Sequence, residues 1–266
     1  GAGKSTTLKM LSGVLIPTSG TVDVGGVVPY RDRKENAKHI GVVFGQRSQL
    51  YWDLPISDTF QLYESLYSVP KEVFRKNRDY FTELLDMREF LDQPVRQLSL
   101  GQKMKANIAI AFLHEPDVVY LDEPTIGLDV TSKKVLRDAL KAINEEKGTT
   151  IILTTHDMDD IEELCHRIIM IDQGKKLFDG TLEGFRERYG SGISLKLEFE
   201  EGAPAWKESE MYTLLEATDQ QWLIKVPEDV SVKEAMIHLI QAYNPTNLHV
   251  QEERIEEVVR RAYVNL

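Results

Sequence analysis

Apolar positions in the first 190 residues follow two rhythms that take turns along the chain. Short unbroken runs at residues 40–44 (IGVVF), 118–121 (VVYL), 149–154 (TTIILT) and 168–171 (IIMI) have the length and composition of strands buried on both faces. Between them, apolar residues return every three or four positions. Residues 6–14 place Leu8, Leu11 and Val14 on one helical face, and residues 57–91 read mainly helical, punctuated by Pro55, Pro70 and Pro94. Residues 101–113 and 158–165 read as further helices. Strands alternating with helices predict a largely parallel sheet covered on both faces, with a helical subdomain at about residues 55–115. A β-like stretch is also expected at residues 21–28, before a charged loop at 31–38.

The rhythm changes at Tyr189-Gly190-Ser191-Gly192, a glycine-rich joint that reads as a domain boundary. Beyond it, residues 193–199 alternate with period two. Residues 212–216, 222–226 and 248–251 read as strands, and 232–243 and 255–263 as helices. The expected organisation is an α/β domain over residues 1–190 and a small α+β accessory domain over 191–266.

Composition limits what these domains do. At 266 residues the chain has room to bury two cores. Its 43 Asp and Glu against 32 Lys and Arg give a net charge of −11, which speaks against broad nucleic-acid binding, since phosphate neutralisation needs excess cations. The region after residue 192 is especially acidic, with fourteen acidic residues against seven basic ones. Cys165, the single cysteine, excludes an intrachain disulfide and reads as a packing residue. No apolar run is long enough to span a bilayer. A reducing, cytosolic setting is expected, with any membrane role supplied by a partner chain.

Three segments carry candidate chemistry. Gly1-Ala2-Gly3-Lys4-Ser5-Thr6 ends a glycine-rich loop that runs into a helix, the arrangement that presents backbone amides to phosphate, with Lys4 for the outer phosphates and Ser5 for Mg²⁺. The full pattern needs a glycine upstream of residue 1. The sequence is therefore expected to be a piece of a longer protein, and these 266 residues alone to bind nucleotide weakly. Residues 117–123 (DVVYLDE) form an apolar strand ending in Asp122 and Glu123, one carboxylate suited to a cation and the other to accepting a proton from water. An acidic helix cap is the plainer alternative for this pair. Residues 98–102 (LSLGQ) open a helix and lie twenty positions before Asp122.

With this third segment the chain resembles the nucleotide-binding subunit of ABC transporters, whose signature usually reads LSGGQ. The other marks of that family follow in order: Gln46 after an apolar strand, Gly127-Leu128-Asp129 after Glu123, and His156 after ILTT, 34 residues beyond Asp122. Taken singly, Gln46 reads equally as a solvated loop residue, Asp129 as a helix N-cap and His156 as a core histidine. The resemblance covers about residues 1–185 and implies a P-loop NTPase fold that binds ATP and Mg²⁺. It further implies that Gly1, Ala2, Gly3, Lys4, Ser5 and Thr6 hold phosphate, that Ser5, Gln46 and Asp122 serve the metal, and that Glu123, His156 and Gln46 serve catalysis. Ser99, Gly101, Gln102 and Asp129 would act on ATP held by a second copy or a related ATPase subunit.

FGQRSQLYWDLP, LSLGQ and DEPTIGLD are similar to bacterial export-type members. That likeness implies separate transmembrane permease subunits, a place on the inner face of the cell membrane through them, and no nucleic-acid partner. A soluble ATPase of the same kind acting on ribosomes or DNA is the alternative, and such relatives usually hold two cassettes or long coiled coils. Leu100 departs from the usual signature by replacing its first glycine. Tyr51 and Trp52 read either as core aromatics or as a socket for the membrane partner.

Overall fold

The computed structural model describes residues 2–45, 49–190, 192–207, 211–227 and 229–264. Gly1, Gln46 and Ser191 lie outside the described residues. The chain divides into two compact units, residues 1–165 with 170–177, and residues 166–169 with 178–266.

In the first unit the elements run α1 (Lys4–Leu11), α2 (Arg33–His39), β1 (Ile40–Phe44), α3 (Ile56–Tyr67), α4 (Lys71–Leu84), a 3₁₀ turn (Val95–Gln97), α5 (Leu100–Phe112), β2 (Val118–Asp122), α6 (Val130–Lys147), β3 (Thr150–Thr154) and α7 (Met158–Leu164). The three apolar runs pair in parallel as β1-β2-β3, with Phe44, Asp122 and Thr154 level at their carboxyl ends. The central strand is covered on both sides. Val119 and Leu121 join Val43, α3, α5 and α6 in a large core, whereas Tyr120 faces Ile40 and Leu8 of α1. Phe60, Phe81 and Phe112 are wholly buried in that large core, and each such burial stabilises the fold by about 1.5–3 kcal/mol.

Two sequence expectations are corrected here. Residues 21–28 form no strand beyond an isolated bridge between Val24 and Val27. Asp23 accepts a hydrogen bond from the Gly26 amide at 2.9 Å, closing a turn that takes the place of a strand. The run at 168–171 does form β4 (Arg167–Asp172), but β4 pairs with β5 (Lys175–Thr181) in a separate two-stranded sheet. Gln173 and Gly174 between them have φ of 46° and 75°, and this two-residue loop turns the chain straight back. A parallel partner would need a crossover of a dozen residues or more.

The second unit contains α8 (Leu182–Tyr189), β6 (Ile193–Glu198), β7 (Thr213–Ala217), β8 (Gln221–Lys225), α9 (Val232–Tyr243), β9 (Asn247–Glu252) and α10 (Ile255–Val264). Its sheet is antiparallel in the order β7-β8-β6-β9, and its core gathers Leu195, Leu197, Trp222 and Ile224 against Ala235 and Leu239 of α9.

Candidate functional site

Because β1, β2 and β3 are parallel and end level, the residues that follow them emerge along one edge of the sheet. Asp122, Glu123 and His156 all belong to this edge. Gln46, two residues beyond β1, lies outside the described residues.

The phosphate-type loop enters the same place. Gly3 caps α1 with φ 104°, a backbone conformation that a side chain would strain, and no acidic residue lies in the first turn of the helix. Amides at that helix start, together with the positive end of its dipole, favour an anion. The Ala2 carbonyl accepts from the Gly174 amide at 3.0 Å, which ties the loop to the β4–β5 turn. Lys4 and Ser5 are half-buried and Thr6 is exposed.

Asp122 is where the elements meet. Its Oδ1 accepts the Ser5 hydroxyl at 2.9 Å and the Thr154 hydroxyl at 2.6 Å. One carboxylate oxygen thus joins α1, β2 and β3. Glu123, the next residue, has φ 53°, unusual outside glycine and of the kind of strain that concentrates at functional sites. Its amide donates to the Thr154 carbonyl at 2.9 Å and lies 3.2 Å from the Thr154 hydroxyl. That arrangement turns the Glu123 side chain toward the histidine. Glu123 Oε2 stands 3.2 Å from His156 Nδ1, with the imidazole largely exposed.

The signature-like residues form a second group, at the starts of α5 and α6. Ser99 caps α5 in a reciprocal box: the Gln102 amide donates to its hydroxyl at 3.2 Å, and its own amide donates to Gln102 Oε1 at 2.8 Å. Asp129 caps α6, accepting the Ser132 amide at 2.9 Å and the Ser132 hydroxyl at 2.6 Å. Those bonds, the hydroxyl first, hold its carboxyl below the ordinary range. Gly101 is needed where it stands, since a Cβ there would come within 2.7 Å of Ser132 Oγ. Leu100 is half-exposed and leans over Gly127. None of the hydrogen bonds just described connects this group to Ser5, Asp122, Glu123 or His156.

Tyr51 and Trp52 are both exposed, at 50% and 63%, and Lys103 of α5 stands 5.0 Å from the Trp52 ring centroid. Burial pushes the Cys165 thiol up to about 11, which keeps it protonated and inert as a packing residue. Thr154, Thr125, Thr155, Arg137 and Asp160 are contributors that sequence reasoning passed over. A signal for Thr154 existed, because it stands level with Asp122 once the two apolar runs are set in parallel register.

Comparison with known proteins shows the family and the fold. A family model described as "ABC transporter" matches residues 1–126. The ABC transporter ATP-binding protein NatA of Bacillus subtilis is 32% identical over 187 residues, covering 70% of this chain and 76% of that protein. ABC transporter A family member 7 of Dictyostelium discoideum is 31% identical over 261 residues, 95% of this chain but 30% of that one. Nod factor export ATP-binding protein I of Ralstonia nicotianae is 34% identical over 181 residues, 68% of this chain and 56% of that protein. The chain thus spans between about a third and three quarters of these relatives. Among solved structures, a dimeric post-hydrolysis ATP-binding cassette with bound ADP and Pi superposes with a TM-score of 0.60 at 28% identity, over 68% of this chain and 81% of that one.

Proposed function

This chain belongs to the ATP-binding proteins of ABC transporters, and on that premise we propose that it hydrolyses ATP to drive export through separate membrane subunits. The observation that carries this reading is the convergence of the Ser5 and Thr154 hydroxyls on Asp122, one residue before the Glu123–His156 pair.

In this reading Lys4 and the first amides of α1 bind the outer phosphates. Ser5 and Asp122, with Gln46, would hold Mg²⁺. Their oxygen donors suit it, and among the described residues no group of three or more His, Cys, Asp or Glu could hold a metal unaided. Such a sparse donor set fits a cation whose shell is completed by phosphate oxygens and water. Held there, Mg²⁺ would neutralise charge on the phosphates. Glu123 orients the attacking water and accepts its proton, and His156 contacts the γ-phosphate. Two copies, or this chain and a related ATPase subunit, close head to tail so that Ser99, Gly101, Gln102 and Asp129 of one act on ATP held by the other. The dimeric form of the similar cassette supports the pairing of two copies.

Residues 1–190 would carry the ATPase and residues 191–266 an accessory domain. Among the described residues no helix is long and apolar enough to cross a membrane, so in this reading the membrane path belongs to other chains. The assembly would sit on the cytoplasmic face of the membrane, with Tyr51 and Trp52 on the surface that meets the permease. Purifying the full-length protein from membranes tests this: a multi-span protein recovered with ATP turnover supports it, and ribosomal proteins would overturn it. Changing Tyr51 and Trp52 together to alanine should lower recovery of the membrane partner about tenfold and leave ATP affinity nearly intact, as expected for aromatic interface anchors. Loss of folding would return both to the core.

A further inference from the structure

Asp160 of α7 is wholly buried, and its carboxylate belongs to none of the roles assigned above. Oδ2 accepts two hydroxyls, that of Thr125 at 2.6 Å and that of Thr155 at 2.8 Å. Oδ1 accepts Arg137 Nε of α6 at 2.7 Å, and Arg137 is itself buried. Thr125 lies two residues after Glu123, with the buried Pro124 between them, and Thr155 immediately precedes His156. A further bond tightens the histidine side, where the Asp157 amide donates to Thr155 Oγ1 at 2.9 Å.

A buried carboxylate is costly unless it is paired and fully hydrogen-bonded. Here that requirement is met by three partners from three segments, so displacing any one of them disturbs the other two. The two hydroxyl partners lie in the segments that present Glu123 and His156.

We infer that Asp160 is a positioning residue for hydrolysis, strapping the segment that carries Glu123 to the segment that carries His156. The inference rests on the reading of Glu123 as the group that activates water. Asp160 is closed off from the surface. It acts through Thr125 and Thr155, fixing the separation of two side chains on which proton transfer and γ-phosphate contact depend. Small displacements of such groups cost far more in rate than in binding.

Removing Asp160 itself would take away the partner of the buried Arg137 Nε, with only Glu163 and Asp157 left beside its other nitrogens, and the protein could fail to fold. The informative variant is the double T125V/T155V in the full-length protein, which deletes both hydroxyls and keeps the Asp160–Arg137 pair. The expected result is a fall in kcat of about tenfold with ATP affinity changed less than about twofold. Amide exchange should rise in peptides spanning residues 122–128 and 153–158, with the peptides of β1 and α5 unchanged. T125S/T155S, which retains the hydroxyls, should restore both readings. Parental kcat in the valine variant, a loss of ATP affinity matching the loss of kcat, or an equal defect in the serine variant would each overturn the inference. Glu123→Gln run alongside separates the two levels: if it hydrolyses ATP at the parental rate, the assignment of Glu123 fails and takes this inference with it. If Glu123→Gln is inactive and the valine variant is normal, the positioning role alone fails.

Discussion

At the ends of β2 and β3, hydrogen bonds join Ser5, Asp122, Thr154 and Glu123 across three elements, and His156 Nδ1 stands 3.2 Å from Glu123 Oε2. At the starts of α5 and α6, Ser99 and Gln102 are bonded to each other and Asp129 to Ser132, each within its own helix end. The first group is a constellation that one chain assembles. The second is two capped helix starts, complete as caps and without a shared focus among the bonds they make. This difference is what is expected if the first group forms a nucleotide site within one chain and the second becomes a site only against another. Helix starts are well suited to that task, because a capped N-terminus still points its remaining amides and its dipole outward.

The comparison breaks most sharply at Glu123. Glu123→Gln keeps size and hydrogen-bonding capacity but removes the proton acceptor, whereas phosphate binding relies on Lys4, Ser5 and the α1 amides. Hydrolysis in the full-length protein should fall by roughly 10² to 10⁴, with ATP still bound. Unhydrolysed ATP then bridges two copies, and light scattering on a sizing column should show a dimer that depends on added ATP. A parental rate would mean that the first group is not the hydrolytic one.

The second group is tested in that same background. Ser99→Arg places a long side chain where a partner's γ-phosphate must dock, so the ATP-dependent dimer should be lost although, among the described residues, Ser99 is hydrogen-bonded within its own helix start and not to Ser5, Asp122, Glu123 or His156. Ser99→Ala separates the two roles of the position. It removes only the cap, at a cost of about 1 kcal/mol in unfolding free energy, and should weaken the dimer far less than arginine does. If Ser99→Arg dimerises as well as its parent, the second group is capping and nothing more.

These two groups were unequally legible in the sequence, for physical reasons. β1 and β2 could be read because strands covered on both faces leave unbroken apolar runs, β3 because its run stays apolar although Ile152 is exposed, and Asp122 and Glu123 stand where such a run stops. Asp129 could be read as a cap because capping is local, its partner three residues away, whereas Ser99 was legible only through the resemblance of LSLGQ to the family signature. The Asp160 hub could not. Arg137 and Asp160 are charged residues on amphipathic helices, where charge ordinarily marks the solvated face, and their pairing joins positions 23 residues apart. The parallel sheet was over-extended by one strand because an apolar run does not say which sheet it joins. The Gln173-Gly174 turn carried that information and is a short-range signal. Gln46, placed by family order, lies outside the described residues and stays a proposal.

The smallest effect distinguishes the two caps by their chemistry. Asp129 is exposed and titratable, whereas Ser99 is not titratable. Hydrogen bonds from the Ser132 hydroxyl and amide lower the folded-state pKa of Asp129 below its unfolded value, which is about 3.9 for an aspartate. A depressed carboxylate contributes stability that is fully present above the unfolded pKa and is lost as pH falls through the folded one. Asp129→Ala should therefore lower the urea midpoint near pH 7, and the penalty should shrink as the pH is taken below about 4. The Ser99→Ala penalty should stay level over the same range, since no proton is bound or released at that cap. Measuring both variants against the parent at two pH values cancels the acid sensitivity of the rest of the molecule. An Asp129→Ala penalty that is independent of pH would show that the carboxylate's charge adds nothing at the start of α6, and that Ser132 is satisfied as well by water.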